Sequence, residues 1–223
     1  MGERRLYNIA VIGGTGAQGS AVALRLAAAG HEVTIGSRDA AKARAAGVEL
    51  SACAGKTIAG SDNSTAAGAA QIVFLTVPYS AQAATATALF DVLHEKILVD
   101  ATVPLATDKP ARVQLPQGRS AVATLQELAG SAVRVVSALQ NVSAAHLRDR
   151  QHPVPCDVLV CGNDPAARDI VIGLCADMGL RAFHAGGIEN SAAAEALTSV
   201  LIAINRLYKV PGGAGIRITR VAD

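Results

Sequence analysis

The sequence predicts an α/β fold built on a doubly wound, mostly parallel β-sheet. Strand patterns and helix patterns alternate along almost the whole chain, which is typical of parallel strands joined by helices. The segments 7–14 and 71–78 are continuous apolar runs, as expected for strands covered by helices on both faces. After the last main strand only a long helix, 191–208, and a short tail remain. We therefore expect the sheet to be followed by a small C-terminal helix-plus-tail extension.

The individual elements follow from the same patterns. Apolar or alternating segments predict strands at 7–14, 31–37, 56–60, 71–78, 96–104, 133–139, 156–163, 180–186 and 215–219. Segments rich in alanine and leucine predict helices at 17–30, after Asp39, at 80–94, near 123–130, at 165–178 and at 191–208. Helices separate most of these strands, so the connections favour parallel neighbours.

Composition indicates a globular protein with a well-buried core. Of the 223 residues, 51% are hydrophobic and 17% are charged, so we expect one domain or one domain with a small appendage. The net charge of +2 and the lack of tryptophan argue against binding to nucleic acid. No apolar run approaches the roughly 20 residues of a membrane span, and the N-terminal segment enters a strand without a leader pattern. The expected location is the cytoplasm.

The four cysteines indicate neither a metal site nor a disulfide framework. They include no C-x-x-C pair, and no histidine cluster lies near them; they are Cys53, Cys156, Cys161 and Cys175. We expect reduced structural thiols and no bound metal.

A glycine-rich turn follows the first strand and opens the first helix. Gly14, Gly16 and Gly19 satisfy the G-x-G-x-x-G pattern of dinucleotide-binding Rossmann folds. The three glycines permit a tight turn, close approach of the backbone to a pyrophosphate, and close packing of helix on strand. The helix N-terminus then presents free amides and a positive dipole end to the phosphates.

The end of the second strand distinguishes between the two nicotinamide cofactors. NAD-binding sheets place an Asp or Glu there for the ribose diol, whereas this chain has Gly36, Ser37 and Arg38. A hydroxyl and a guanidinium suit a 2′-phosphate, which a carboxylate would repel. Asp39 fits better as the N-cap of the next helix. We therefore predict NADP(H), with Thr15 and Lys42 as additional contacts.

Several longer stretches resemble the NADPH-dependent reductases of coenzyme F420, an 8-hydroxy-5-deazaflavin. They are "AVALRLAAAGHEVTIGSRD", "VFLTVPYSAQ", "LVDATVPL", "NVSAAHL", "CDVLVCGND" and "EALTSVLIAINRLYKVPGGAGIRIT". Together with the glycine loop they extend from about residue 7 to 220. The last stretch is the most specific, because Rossmann folds in general do not carry it. This chain departs from the family pattern at Gln140, His184 and Ser199.

The resemblance implies an enzyme that moves a hydride between NADP(H) and the deazaflavin, as a cytoplasmic homodimer. From the pattern of elements we predict an NADP-binding Rossmann domain at 1–150, and at 151–223 a smaller part that completes the substrate crevice and supplies dimer contacts. The family's NADP positions match Thr15, Gly16, Ala17, Gln18, Ser37, Arg38 and Lys42. The segment beside the nicotinamide matches Thr76, Pro78 and Tyr79, with Val103 and Ala144 nearby. Ala214 matches a backbone contact to the deazaflavin.

No residue pattern for acid–base or nucleophilic catalysis is present, which suits hydride transfer because that reaction depends mainly on alignment of two rings. Polar residues that either orient a ring or serve as caps and packing groups are Asn141, Ser143, His184, Thr198 and Asn205. Two alternatives remain open. One is an NADPH-dependent reductase of a flavin, a ferric chelate or an imine. The other is a non-enzymatic NADP-sensing module.

Overall fold

The computed structural model describes residues 5–106 and 108–221. Its strands are β1 (Asn8–Ile12), β2 (Glu32–Ser37), β3 (Ile58–Asp62), β4 (Ile72–Leu75), β5 (Ile97–Asp100), β6 (Arg134–Ser137), β7 (Asp157–Gly162) and β8 (Arg181–His184). Its α-helices are α1 (Ala17–Ala28), α2 (Ala40–Ala54), α3 (Asn63–Ala69), α4 (Tyr79–Thr87), α5 (Phe90–Leu93), α6 (Ala121–Ala129), α7 (Ala144–Arg148), α8 (Pro165–Asp177) and α9 (Ser191–Tyr208). The predicted α/β class and the long terminal helix are confirmed.

The eight strands form one sheet in the order β3-β2-β1-β4-β5-β6-β7-β8. Strands β1 to β6 are all parallel, so their carboxyl ends meet at one edge, which we call the carboxyl edge. The strand order changes direction between β1 and β4. In a sheet of this kind, a crevice for ligands opens at that point of the carboxyl edge.

The last two strands run the opposite way, which the strand-and-helix alternation does not predict. Strand β7 pairs antiparallel with β6, and β8 pairs parallel with β7. The segment between β6 and β7 contains only the five-residue helix α7, which packs on α1 rather than crossing the sheet. The chain therefore re-enters the sheet from the carboxyl edge, and β8 ends at the opposite edge.

Each face of the sheet has its own apolar core. On one face, Ile9 and Val11 of β1 pack with side chains of α1, α2 and α8. On the other face, Ala10 and Ile12 pack with α3, α4, α5 and α6. Successive residues of a strand point to opposite faces, so a strand between two cores must be apolar at every position. This explains the unbroken apolar run predicted as the first strand.

Helix α7 is attached to α1 through Arg25. Its guanidinium donates to the carbonyl oxygens of Leu147 (2.6 Å), Met178 (2.6 Å), Asp149 (2.6 Å) and His146 (3.1 Å). These carbonyls lie at the C-terminal ends of α7 and α8, where the last carbonyls of a helix lack helical partners. The contacts hold the segment after β6 close to the first helix, and therefore close to the glycine loop.

Three details of the predicted secondary structure are wrong. The segment 215–219 is not a regular strand, although the Asp157 amide donates to the Ile216 carbonyl at 2.8 Å. The predicted helix 80–94 is divided into α4 and α5. Helices α3 and α7 were not predicted, because seven and five residues are too short for a clear apolar period. The sequence features that mark these two helices are their N-cap residues, Asp62 and Ser143, whose side chains accept hydrogen bonds from amides of the first turn.

Candidate functional site

The glycine loop has the geometry that phosphate binding requires. A Cβ on Gly14 would lie 2.4 Å from Ile35 Cγ2, and one on Gly19 would lie 2.4 Å from Thr76 Oγ1. A Cβ on Gly16 would approach only the Gly13 carbonyl, at 3.3 Å. Gly14 and Gly19 therefore allow the loop to pack closely against Ile35 and Thr76, whereas Gly16 keeps the surface of the loop open. Gly13, which the motif does not include, has φ +81° and makes the turn itself.

The N-terminus of α1 is available to an anion. Its N-cap is Gly16, which has no side chain to bond the first amides, and the first turn has no acidic residue. Ala17 and Gln18 are the first two helical residues. The amide groups and the positive end of the helix dipole therefore face the space above the loop.

A cleft of about 660 Å³ joins this loop to the ends of β2, β3 and β4. The predicted site residues that line it are Thr15, Gly16, Ser37, Arg38, Lys42, Thr76 and Pro78. Gly13, Asp39, Asn63, Val77, Ala81 and Thr85 complete the lining. A larger cavity, about 1050 Å³, lies between α6 and the first turns of α8 and α9. None of the predicted residues lines it, and it lies away from the point where the strand order changes, so the smaller cleft is the candidate cofactor site.

The end of β2 presents positive charge to this cleft. Arg38 and Lys42 are exposed, and within the described ranges neither forms an ion pair. The Asp39 carboxylate accepts bonds from the amides of Ala41 (2.9 Å) and Lys42 (3.1 Å), so it caps α2 as predicted. Ser37 Oγ accepts a bond from the Asp39 amide at 3.2 Å and retains its own proton for another partner.

Asn63 belongs to the cleft, although the sequence analysis missed it. Its side-chain Oδ1 is buried without a hydrogen-bond donor among the described residues. It lies 3.0 Å from the position that a Cβ on Gly36 would occupy. The sequence feature that could have identified Asn63 is its place directly after β3, the strand beside β2. An unpaired acceptor in a cleft of this kind is suited to a ligand hydroxyl or amino group.

The next wall of the crevice is the turn between β4 and α4. Thr76 is fixed to β1, because both its amide and its hydroxyl donate to the Ile12 carbonyl, at 2.9 and 2.8 Å. Tyr79 begins α4 and is 38% exposed. It lines a separate cavity of about 450 Å³ with the loop between β5 and α6. Burial, and then the nearby Glu195 carboxylate, raise the pKa of the Tyr79 hydroxyl. Val103 is half-buried in that loop and lines neither cavity.

A buried aspartate connects three walls of the crevice through its carboxyl group and its backbone carbonyl. Asp100, the last residue of β5, is fully buried and accepts bonds from Gln82 Nε2 on α4 and from the Thr102 amide, the latter at 2.8 Å. Its carbonyl accepts a bond from Gln140 Nε2 at 2.7 Å. Burial raises the pKa of Asp100 to about 6, with a smaller contribution from Glu195. This network ties α4, the loop after β5 and the loop after β6 into one frame.

The C-terminal tail meets the loop after β6 at the same edge. His146 Nε2 bonds the Gly213 carbonyl at 2.8 Å, and the Ala214 amide donates to Asn205 Oδ1 of α9. A Cβ on Gly213 would lie 3.3 Å from Ser143 Cβ. Ala144, the residue after Ser143, and Ala214 are therefore brought into one neighbourhood. Gln18 Nε2 reaches the Leu139 carbonyl at 3.5 Å and links this cluster to the glycine loop.

Comparisons with known proteins show which family the chain belongs to. A family model described as "NADP oxidoreductase coenzyme F420-dependent" matches residues 8–104. A Methanothermobacter thermautotrophicus protein named F420-dependent NADP reductase is 40% identical over 98% of this chain and 97% of its own length. A protein of the same name from Methanocaldococcus jannaschii is 41% identical over 96% of this chain and 98% of its own length. The chain belongs to this family.

The fold of this F420-dependent NADP reductase family member agrees with a solved relative. A crystal structure of a protein from Arthrobacter sp. FB24 superposes with a TM-score of 0.81 at 28% identity. The match covers 96% of this chain and all of that one. At that coverage the likeness extends over the C-terminal part of the chain as well as strands β1 to β6. The family resemblance predicted from the sequence is confirmed.

The three departures from the family pattern lie outside the NADP cleft. Gln140 supports Asp100, and its own carbonyl accepts the Thr198 hydroxyl at 2.8 Å. Ser199 Oγ donates to the Arg112 carbonyl at 3.2 Å and holds the loop before α6. His184 pairs with Asp169 at 3.0 Å at the end of β8, which is the edge opposite the crevice. The structure therefore does not bring His184 to the site.

The buried thiols of Cys161 and Cys175 are unreactive near neutral pH. Burial raises the pKa of Cys161 to about 11 and that of Cys175 to about 12, so neither forms the reactive thiolate near neutral pH. In the part of the chain that the structure describes, no group of three or more His, Cys, Asp or Glu side chains could hold a metal ion. No helix in that part is long and apolar enough to cross a bilayer.

The raised pKa of Asp100 predicts a specific pH dependence of stability. The native state keeps the Asp100 proton up to about pH 6, whereas an ordinary Asp loses it near 3.8. The contribution of Asp100 to stability therefore falls as the pH rises through that window. Relative to Asp100→Asn, the wild-type free energy of unfolding should fall by about 2 kcal/mol between pH 4 and 7, measured by urea denaturation. Identical pH profiles for the two proteins would contradict this, and Asp91→Asn, on an exposed carboxyl of α5, is the control.

Proposed function

We propose that this protein transfers a hydride between NADP(H) and the deazaflavin coenzyme F420. The observation that carries the cofactor assignment is the end of β2, where Arg38 and Lys42 face the cleft. The carboxylates nearest to them are both engaged as helix caps: Asp39 caps α2, and Asp62, at the end of the neighbouring β3, caps α3. The observation that carries the second substrate is the match, along nearly the full chain, to relatives named F420-dependent NADP reductase.

The proposed cofactor contacts follow the cleft from the glycine loop outward. Thr15, Gly16, Ala17 and Gln18 lie at the N-terminus of α1 and bind the pyrophosphate. Ser37, Arg38 and Lys42 bind the 2′-phosphate, with the Arg38 guanidinium as a charge-assisted fork. The unpaired Asn63 acceptor lines the same cleft as Ser37, Arg38 and Lys42, so it receives a hydrogen bond from the adenosine part.

The proposed nicotinamide and deazaflavin contacts lie further along the carboxyl edge. Thr76, Pro78 and Tyr79 flank the nicotinamide, and Val103 and Ala144 lie next to the paired rings. Ala214 contacts the deazaflavin through its backbone. Its amide is already donated to Asn205, so the carbonyl oxygen is the group left to accept a ligand N–H.

The reaction requires alignment rather than an acid or base from the protein. The two cofactors supply the hydride chemistry, and the chain's residues hold the rings within a near-attack distance and keep water out. The Asp100 network contributes by fixing three walls of the crevice relative to one another. In this proposal residues 1–150 bind NADP and residues 151–223 complete the crevice.

The decisive experiment is anaerobic absorbance spectroscopy of the purified protein with coenzyme F420 and NADPH. Bleaching of the deazaflavin band with NADPH, and little with NADH, would support both cofactor assignments. Tight NADPH binding without bleaching would overturn the deazaflavin assignment and leave the NADP site intact. Flavin, ferric chelates and imines would then be tested as acceptors in the same assay.

We also propose a cytoplasmic homodimer in which α9 supplies the interface. Its outer face is apolar over four turns: Ala193, Val200, Ala203 and Leu207 are exposed, with Leu197 half-buried between them. Val200 and Leu207 are 44% and 73% exposed. These residues recur at helical spacing, so they form one stripe that a second copy can cover.

Light scattering tests this interface. The wild-type protein should have twice the mass of one chain, and Val200→Glu should shift it to the monomer mass because a charge would be buried between the helices. Val48→Glu on α2 is the matched control, since that valine is 72% exposed on a different helix, and it should leave the dimer intact. A wild-type protein at monomer mass would contradict the proposal.

A further inference from the structure

Asp157 has no role in the assignments above, yet it is the most heavily bonded carboxylate near the C-terminal tail. It is the first residue of β7, and its exposed fraction is 0%. Because β7 runs opposite to β6, this residue lies at the carboxyl edge, beside the crevice rather than across the sheet from it.

The carboxylate of Asp157 binds the tail directly and through an arginine. Its Oδ2 accepts the Ile218 amide at 2.5 Å, and Arg217 approaches Oδ1 at 3.5 Å. Arg181 of β8 donates from Nε to Oδ1 at 2.8 Å and from a terminal nitrogen to Oδ2 at 2.7 Å. The same terminal nitrogen donates to the Ile218 carbonyl at 2.8 Å. The side chains of Asp157 and Arg181 therefore bind the backbone amide and the backbone carbonyl of Ile218, respectively.

The backbone of Asp157 adds two more connections. Its amide donates to the Ile216 carbonyl at 2.8 Å, and its carbonyl accepts Asn141 Nδ2 at 2.7 Å. Asn141 lies in the loop after β6, three residues before Ala144. One residue thus fixes the tail and that loop relative to each other, which are the two segments on either side of the proposed deazaflavin position.

Besides the Asp157 and Arg181 contacts, the tail is held by His146 at the Gly213 carbonyl and by Asn205 at the Ala214 amide. It has no regular secondary structure from residue 210 to 219. Gly212 and Gly213 have φ of +73° and +107°, so the chain just before Ala214 is intrinsically flexible when released. Gly215 lies so close to β7 that a Cβ there would be 2.6 Å from Cys156 Cβ.

We propose that Asp157 is a positioning residue for the second substrate: by holding residues 216–218 against β7, it keeps Ala214 beside the deazaflavin ring. This inference rests on the proposed function. The ion pair with Arg181, together with the bond from Ile218, holds the pKa of Asp157 below its ordinary value, so the anchor is charged at neutral pH. A buried ion pair of this kind adds little net stability compared with apolar packing, which favours a geometric role.

The first test compares Asp157→Asn with Asp169→Asn. The amide cannot accept all the bonds of the carboxylate, so the tail loses part of its anchor. We expect the KM for coenzyme F420 to rise about tenfold or more, since small misplacements of a positioning group have large effects. The dissociation constant for NADPH, measured by fluorescence titration, should stay within about twofold, because the glycine loop is untouched. Asp169→Asn removes an exposed carboxylate of the same half of the chain and should change neither constant.

A second variant keeps the test decisive if Asp157→Asn does not fold. Gly215→Ala leaves the buried carboxylate in place and displaces the tail through its contact with Cys156. It should raise the KM for coenzyme F420 in the same way. Gly173→Ala is its control, because a Cβ there meets no atom within 4 Å.

The outcomes separate the two proposals. If the wild type does not reduce the deazaflavin, the proposed function fails, and the role of Asp157 fails with it. If the wild type is active but the folded variants keep the wild-type KM for coenzyme F420, only the Asp157 inference is overturned. Equal loss of NADPH and coenzyme F420 binding would also overturn it, since that result would indicate general damage to the fold.

Discussion

Replacing Gly16 with alanine is expected to abolish tight NADPH binding while leaving the fold intact. Gly16 has φ −83° and ψ 170°, a conformation that alanine adopts without strain. A Cβ there would meet only the Gly13 carbonyl, at 3.3 Å, and would otherwise project into the cleft. The pyrophosphate needs that space, because it must lie against the backbone of the loop. The dissociation constant for NADPH should rise about 100-fold or more, equivalent to about 2.7 kcal/mol.

The contrast with Gly19→Ala makes this result specific. A Cβ on Gly19 would lie 2.4 Å from Thr76 Oγ1 and 2.6 Å from the Gly13 carbonyl. That substitution should lower the free energy of unfolding by about 1–3 kcal/mol, as overpacking does. Gly16→Ala should lower it by less than about 1 kcal/mol, measured by urea denaturation. If Gly16→Ala binds NADPH normally, the pyrophosphate does not lie on this loop, and the cofactor site is misassigned.

The second large effect is expected at Arg38. Arg38→Ala should raise the dissociation constant for NADPH about 10- to 100-fold, because a charge-assisted bond to the 2′-phosphate is worth about 1.5–3 kcal/mol. The constant for NADH should change by about twofold at most, since NADH has no phosphate at that position. Fluorescence titration with NADPH and with NADH gives the two dissociation constants, and their ratio measures the preference for the 2′-phosphate.

Two further variants refine the Arg38 result. Arg38→Lys keeps the charge and loses the planar fork, so its dissociation constant for NADPH should lie between those of the wild type and Arg38→Ala. Arg44→Ala is the control, because Arg44 is exposed on α2, the helix that follows Arg38, but does not line the cleft. An equal loss of NADPH and NADH affinity in Arg38→Ala would mean that Arg38 does not read the 2′-phosphate.

Local features of the site could be predicted because their physical causes are local. The turn at the glycine loop depends on residues adjacent in sequence, and so does the cap that Asp39 makes on the amides of Ala41 and Lys42. The resemblance to a known family extended along nearly the whole chain, and the comparisons confirm the family.

Features built from distant segments were missed or incomplete. The unpaired acceptor of Asn63 matters only because β3 lies beside β2. The Asp100 frame joins Gln82 and Gln140, which are 58 residues apart in the numbering. His184 was a candidate because it ends a strand, and it lies away from the crevice because that strand is reversed.

The sequence by itself determined the α/β class, the glycine-rich turn, the basic end of β2 and the family, because hydrophobic periodicity, glycine geometry and capping act over a few residues. Only the tertiary structure decided the reversal of β7 and β8 and the course of the tail. The reversal depends on α7 docking against α1 through Arg25, a contact across more than 120 residues. The tail depends on a buried carboxylate at Asp157 that no local pattern connects to Ile218. Such contacts are chosen by packing and by the need to pair buried charge, and neither is visible in a single stretch of sequence.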